Sequence, residues 1–312
     1  MEKRNAYLVI KAGGVITSFF GIVLITMFFI PSMLHASEQF KLITAIYGDE
    51  ISGPFNQPSG IFFDEEKKRL YLADTMNNRL VSFDSTYVFI SEFNAEGTMK
   101  LPLYIVKDSK ERLIVTESQK NQVTIINIKE KASHALDFSQ VPQKNPIIPG
   151  SLAIDSKDNL YVIDRANKRI LIFDNKENYV KELTIKEGLT GFNDVKVNEK
   201  GHIYAIDTLK GQIYVFANTG KLLTKFGKRG KGEGKFDFPV SLAVDRRGLI
   251  YVVDRHKNMV LIFTEKGEFQ ESFSQLGWQE EKLYYPSYIF IDKSQRIFVV
   301  DRDNDRIQIF KR

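Results

Sequence analysis

Pro239-Val240-Ser241-Leu242-Ala243-Val244-Asp245, then Ile250-Tyr251-Val252-Val253-Asp254, then Val260-Leu261-Ile262-Phe263 forms one sequence unit. It returns 47 residues later as Pro286-Ser287-Tyr288-Ile289-Phe290-Ile291-Asp292, Ile297-Phe298-Val299-Val300-Asp301 and Ile307-Gln308-Ile309-Phe310. Working outward, six such units can be aligned on the acid that closes the second apolar segment. These acids are Asp74, Glu117, Asp164, Asp207, Asp254 and Asp301, at steps of 43, 47, 43, 47 and 47 residues. That period is too long for a leucine-rich or ankyrin unit and suits a four-stranded propeller blade.

The segments themselves read as strands. Leu160-Tyr161-Val162-Ile163 and Ile170-Leu171-Ile172-Phe173 are short, β-branched and aromatic, and bounded by turn residues. They are continuously apolar, as strands packed on both faces between neighbouring blades must be. The spacing predicts an all-β, six-bladed β-propeller over residues 37–312. The last unit stops at Phe310-Lys311-Arg312 with no fourth strand, while an orphan segment, residues 40–47, precedes the first unit. We expect that segment to supply the outer strand of the final blade, closing the ring and covering an exposed edge. Blade two's outer strand is expected within the irregular stretch 128–148, over His134–Phe138.

Asp74-Thr75-Met76-Asn77-Asn78-Arg79-Leu80, Asp164-Arg165-Ala166-Asn167-Lys168-Arg169-Ile170 and Asp301-Arg302-Asp303-Asn304-Asp305-Arg306-Ile307 resemble the D-x-x-N-x-R-I turn of NHL repeats. The glycine-spaced run from Phe226 to Pro239 resembles the loop that opens such a repeat. The resemblance covers residues 40–312. Three copies depart from it: Glu117 replaces Asp, and Gln122, Gln212 and Met259 replace Arg. Those turns are expected to be less rigid. Asp74 with Arg79, Asp164 with Arg169, and Asp301 with Arg306 are read as structural staples, the arginine folding back bidentately onto the carboxylate.

Ahead of the repeats, Glu2-Lys3-Arg4 and Lys11 precede nineteen uncharged residues, Ala12–Ile30. That length approaches the ~20 residues needed to cross a bilayer. Residues 1–36 are therefore read as a cytoplasmic flank and a transmembrane anchor or signal segment, with the propeller outside the cytoplasm. We expect a retained single-pass anchor; the alternative is secretion after cleavage near Ala36, where Leu34 is a poor match to the A-x-A pattern. The chain has no cysteine, which excludes disulfides, thiol catalysis and cysteine-zinc sites.

The net charge is +5, falling to +3 outside residues 1–36, so there is no general nucleic-acid signature and no nucleic-acid partner is expected. In the arrangement implied by the NHL resemblance, the loops that open each repeat and the strand-two-to-three turns share one face. That face would carry Lys228, Arg229, Lys231, Lys235, Arg165, Arg255, His256, Lys257 and Arg302, with Trp278 on the insertion 273–285. These are the candidate partner-binding residues. The glycine-rich run 227–235 lacks G-K-[ST] and precedes a strand, so it is no phosphate-cradling loop.

Propeller hydrolases of the gluconolactonase type hold a metal at the central channel, and this is the alternative function. The four histidines, His35, His134, His202 and His256, are dispersed, and no metal-ligand spacing joins them. No catalytic residue, metal or cofactor is assigned. The sequence leads us to expect a membrane-tethered binding or scaffolding module for an envelope protein or polysaccharide.

Overall fold

The computed structural model describes residues 40–142, 145–185 and 190–312. The segment read as an anchor or signal, within residues 1–36, lies outside them. Among the described residues no helix is long and apolar enough to cross a membrane.

Six four-stranded antiparallel sheets follow one another along the chain. Blade one comprises Ile61–Asp64, Arg69–Asp74, Arg79–Phe83 and Phe89–Phe93 from inside to outside. Inner strands of successive blades touch, the sixth returning to the first, so the ring is closed. Second and third strands are buried over most of their length, and throughout in Leu160–Asp164 and Arg169–Phe173. Outer strands are partly exposed, as in Phe269–Phe273. This gradient explains the unbroken apolar runs: a middle strand meets another blade on each face. Phe63 of blade one, for example, stacks on Phe298 of blade six at 5.8 Å. In four blades the third strand ends in a bulge at phenylalanine (Phe83, Phe173, Phe216 and Phe263), which increases local twist as the outer strand begins.

Lys41–Ile46 pairs antiparallel with Arg306–Lys311, from Lys41 opposite Lys311 to Ile46 opposite Ile307. The N-terminal strand is thus the fourth strand of blade six. Phe40 stacks on Phe273 of blade five at 4.2 Å, adding a side-chain clasp to the backbone ladder. In blade two the outer strand is Ala132–Ala135, not His134–Phe138. Leu136 is buried, and Phe138 packs edge-on against Phe173 of blade three. These two apolar side chains are worth more inside the blade interface than on an exposed edge.

The strand-two acid has one structural task in all six blades: it accepts backbone N–H groups from the loop that opens its own blade. Asn56 donates to Asp74 at 2.8 Å, Lys100 to Glu117 at 2.7 Å, Ile148 to Asp164 at 3.4 Å, Thr190 to Asp207 at 3.0 Å, Asp237 to Asp254 at 2.7 Å and Tyr284 to Asp301 at 2.7 Å. In blades one, three and six the arginine Nε also donates to that acid, at 2.8, 3.0 and 2.6 Å. The contact is through Nε alone and not bidentate. The outer nitrogens go elsewhere: Arg79 and Arg169 reach Glu92 and Glu182 on their outer strands. The blades without arginine find substitutes. Thr124 donates to Glu117 at 2.5 Å and Lys120 pairs with it at 2.9 Å, while Phe238 and Lys257 donate backbone N–H groups to Asp254. These turns are as well satisfied as the others.

Candidate functional site

The equivalent repeat position, at or near the start of each inner strand, holds Gly60, Tyr104, Ser151, Asp194, Ser241 or Tyr288. Six sheets around one axis bring these positions into one layer, and their contacts cross the ring. Asp194 of blade four accepts from Ser151 of blade three at 2.5 Å and from Ser241 of blade five at 2.8 Å. It also accepts the Leu242 and Val195 backbone N–H groups, each at 3.0 Å. Lys196, one layer along, donates to Asp194 at 2.6 Å and lies 4.4 Å from the Tyr288 ring centroid of blade six. Tyr288 in turn meets Tyr104 of blade two at 6.1 Å, across the glycine of blade one. The axis is therefore filled midway by a satisfied polar network. Burial alone would pull the Lys196 ammonium down, but Asp194 beside it, with Tyr288, holds it above its ordinary value.

Above this plug lies the mouth. In blades one, four and five the residue after the strand-two acid reaches the start of the next blade's inner strand. Thr75 donates to the Pro102 carbonyl at 2.7 Å, Thr208 to Pro239 at 2.6 Å, and the Arg255 Nε approaches Pro286 at 3.5 Å. Blades one, two and four carry a hydroxyl there (Thr75, Ser118, Thr208); blades three, five and six carry Arg165, Arg255 and Arg302. Arg165 lies along the inner strand at Gly150, where a Cβ would come within 3.2 Å of its Cγ. Arg302 donates to the Gln57 side chain at 2.6 Å. Burial lowers the Arg255 guanidinium's hold on its proton, and the neighbouring Arg302 charge lowers it further. The Tyr104 phenol beneath is pushed up to about 12, chiefly by burial, and so stays neutral.

The other residues of the loop face stand apart from these arginines. Lys228, Arg229, Lys231 and Lys235 are exposed on the loop that opens blade five. Arg229 donates to the Leu209 carbonyl at 3.3 Å, and Lys257 to Gly232 at 3.0 Å. The run is thus clamped between the turns of blades four and five, and among the described residues no hydrogen bond or ion pair joins it to Arg165, Arg255 or Arg302. His256, beside Arg255, stacks on Phe238 at 4.5 Å and meets Tyr285 edge-on. Trp278 is 71% exposed, 6.0 Å from Tyr284.

At the opposite end of the axis a cavity of about 470 Å³ is lined by Phe62, Asp64, Val244, Asp245, Phe290 and Asp292, among others. Its three aspartates are already engaged. Asp64 accepts from Lys107 at 2.6 Å, Asp292 from Arg296 at 2.6 Å and Asp245 from Arg247 at 3.0 Å, and each also caps its own turn. Among the described residues no three His, Asp or Glu side chains gather to hold a metal ion.

A family model described as a 6-bladed beta-propeller matches residues 242–311. The chain is a six-bladed propeller. The matching model is that of the propeller, not of the NHL repeat, and no curated protein matches the sequence. Among solved structures, virginiamycin B lyase from Staphylococcus aureus is similar at a TM-score of 0.62 and 12% identity, over 88% of this chain and 100% of that one. A gluconolactonase from Xanthomonas campestris is similar at 0.65 and 14%, over 82% and 86%. An auxiliary nutrient binding protein from Bacteroides thetaiotaomicron is similar at 0.66 and 18%, over 83% and 70%. At such identities the likeness establishes the fold alone, which serves enzymes and binding proteins alike.

Proposed function

We propose that this propeller is an exported, membrane-tethered, non-catalytic module of NHL type that binds or scaffolds a protein or polysaccharide of the cell envelope through its loop face. The observation that carries this reading is the state of the axis. Its one carboxylate in the middle layer, Asp194, is neutralised by Lys196 and receives four further hydrogen bonds. A catalytic acid or metal ligand needs free lone pairs at a reacting atom, and Asp194 has spent its own on the scaffold. Arg165, Arg255 and Arg302 lie at the mouth instead, Arg302 4.0 Å from Asp303, on a rim of rigid turns that lowers the ordering cost of association. Export and tethering rest on the cationic flank and apolar run of residues 1–30.

The test is photo-crosslinking in cells from the full-length protein, with the crosslinking residue at His256 on the loop face or at Lys200 at the opposite end. The expected result is one envelope component captured from His256 and not from Lys200. Capture from neither, or turnover of lactones by the purified protein, overturns the reading in favour of the metal-dependent hydrolase.

A further inference from the structure

Each pair of neighbouring blades encloses an apolar wedge, and five of the six wedges are closed by the same two side chains. The phenylalanine near the end of strand three packs with an aliphatic residue from the position before it in the preceding blade. The pairs are Ile125 with Phe173, Ile172 with Phe216, Val215 with Phe263, Ile262 with Phe310 and Ile309 with Phe83. Between blades one and two the same positions hold Ser82 and Ile126, as the ladders pairing Leu70 with Phe83 and Leu113 with Ile126 fix. In blades one, three and five an outer-strand aromatic, Phe89, Tyr179 or Phe269, also leans edge-on against that phenylalanine. In blade two Ser133 stands opposite Ile126 instead. Three large side chains are thus replaced by smaller ones in a single wedge. A cavity of about 660 Å³ opens there, with Ser82, Ile126 and Ser133 all on its wall, a size that suits a small molecule.

The polar end of this cavity is set by Arg69. The equivalent arginines, Arg112 and Arg296, donate from Nε to the acid at the end of strand one, Asp108 or Asp292, at 2.7 and 2.6 Å. They then cross their wedges to Glu177 and to the Tyr87 hydroxyl of the next blade. In blade one the connecting turn is one residue longer, and its acid, Asp64, accepts from Lys107 of blade two at 2.6 Å. The Arg69 Nε is left buried without a hydrogen bond, on a residue of the cavity wall. At the turn position of Glu177 and Tyr87, blade two has Lys131, a further cation on that wall. Of the two acids there, Glu92 pairs with Arg79 and Glu96 is exposed. A desolvated guanidinium N–H without a partner carries a free-energy cost that an incoming carboxylate removes.

We propose that the wedge between blades one and two binds a small aromatic carboxylate, its ring in the place of the absent phenylalanine and its carboxylate on Arg69. An aromatic body fits better than an alkyl chain, because a ring is what this wedge lacks and Tyr71 and Phe93 border the space. The site is built from strands and not from the loop face, so it stands whether or not that face binds an envelope partner.

The experiment is calorimetric titration of the full-length protein with phenylpropionate, its uncharged amide phenylpropanamide, and octanoate. Phenylpropionate should bind, the amide about tenfold or more weaker for want of one charge-assisted hydrogen bond, and octanoate more weakly than phenylpropionate. Arg69→Gln, with an unchanged melt, should bring phenylpropionate down to the affinity of the amide. Ser82→Ile combined with Ile126→Phe restores the pair found in the other wedges; it should abolish binding and raise Tm, as cavity filling does. No binding of phenylpropionate, or binding unchanged in the filled variant, overturns the site. Equal affinity for acid and amide overturns the role of Arg69, and octanoate binding as tightly as phenylpropionate overturns the aromatic assignment. If the filled variant does not fold, Arg69→Gln carries the test alone, and affinity unchanged in it overturns the proposal.

Discussion

Replacing Lys196 by methionine removes one charge from the axis and keeps most of the side chain's volume. Asp194 is fully buried and would be left as an uncompensated carboxylate. Breaking a buried ion pair costs about 3–5 kcal/mol. Here the lower end applies, because Ser151, Ser241 and two backbone N–H groups still bond to Asp194. In a domain of this size 1 kcal/mol moves Tm by about 2–4 °C, so Lys196→Met should melt roughly 6–12 °C below the parent. Asp194→Asn alone should also destabilise, since the Lys196 ammonium, 17% exposed, then rests on the Tyr288 ring, the Val195 carbonyl and a neutral amide, with no opposite charge beside it. The double variant should recover most of the loss, because replacing both partners of a buried pair is often neutral. The assay is a double-mutant cycle by calorimetric melting. The pH dependence follows from sign. The folded-state value of Lys196 is raised, so its contribution is complete below the ordinary value of 10.5 and fades as pH climbs through the folded value. The gap between parent and Lys196→Met should therefore narrow at alkaline pH. Single variants melting within about 2 °C of the parent, or adding independently, would refute the coupled plug.

Four further outcomes are expected. Arg306, 2% exposed, donates to Asp301, Trp278, Gln279 and Lys282, so Arg306→Ala should cost about 3–5 kcal/mol in urea unfolding. Arg79→Ala, at a site 13% exposed, should cost about 1–2 kcal/mol; equal midpoints would contradict the ranking. Deleting residues 40–47 strips the outer strand from blade six and should lower the single melting transition of the whole ring; an unchanged melt would sink closure by this strand. Glu111 is held down to about 2 by Lys67 and Lys129. A depressed carboxylate stabilises above its ordinary value of 4.5 and loses that effect as pH falls towards 2. Melting curves of parent and Glu111→Gln should therefore converge across this window, and a gap that persists at pH 2 would refute the pairing.

What was legible along the chain was local. The Asp-x-x-Asn-x-Arg turns close within six residues, so their partners are visible in one glance: Asn77, Asn167 and Asn304 bond to the same carboxylate oxygen as the arginine. The outer strand of blade two was misplaced because an exposed edge strand has almost no hydrophobic signature. Ala132–Ala135 is exposed throughout, and the apolar Leu136 and Phe138 belong to the blade interface. The axial plug went unseen for a different reason. Its column of the repeat holds Gly60, Tyr104, Ser151, Asp194, Ser241 and Tyr288, six residues sharing a position and no pattern. The one available signal was that polar and aromatic residues interrupt the otherwise apolar inner strands at this place, with Lys196 two residues on.

The sequence by itself determined the blades, their number and their order, because burial on two faces forces unbroken apolar runs and a stacked repeat forces a constant period. Only the tertiary structure decided which side chains meet. Closing the ring brings equivalent positions some 40 to 50 residues apart into a single layer about the axis, so Asp194 finds Ser151 and Ser241, and Lys196 finds Tyr288 two blades away. The same closure separates residues that one loop face had grouped together, leaving Lys228, Arg229, Lys231 and Lys235 on a clamped loop and Arg165, Arg255 and Arg302 at the mouth. Charge and spacing along a chain are one-dimensional; whether a cation has a carboxylate beside it is settled only when the circle is drawn.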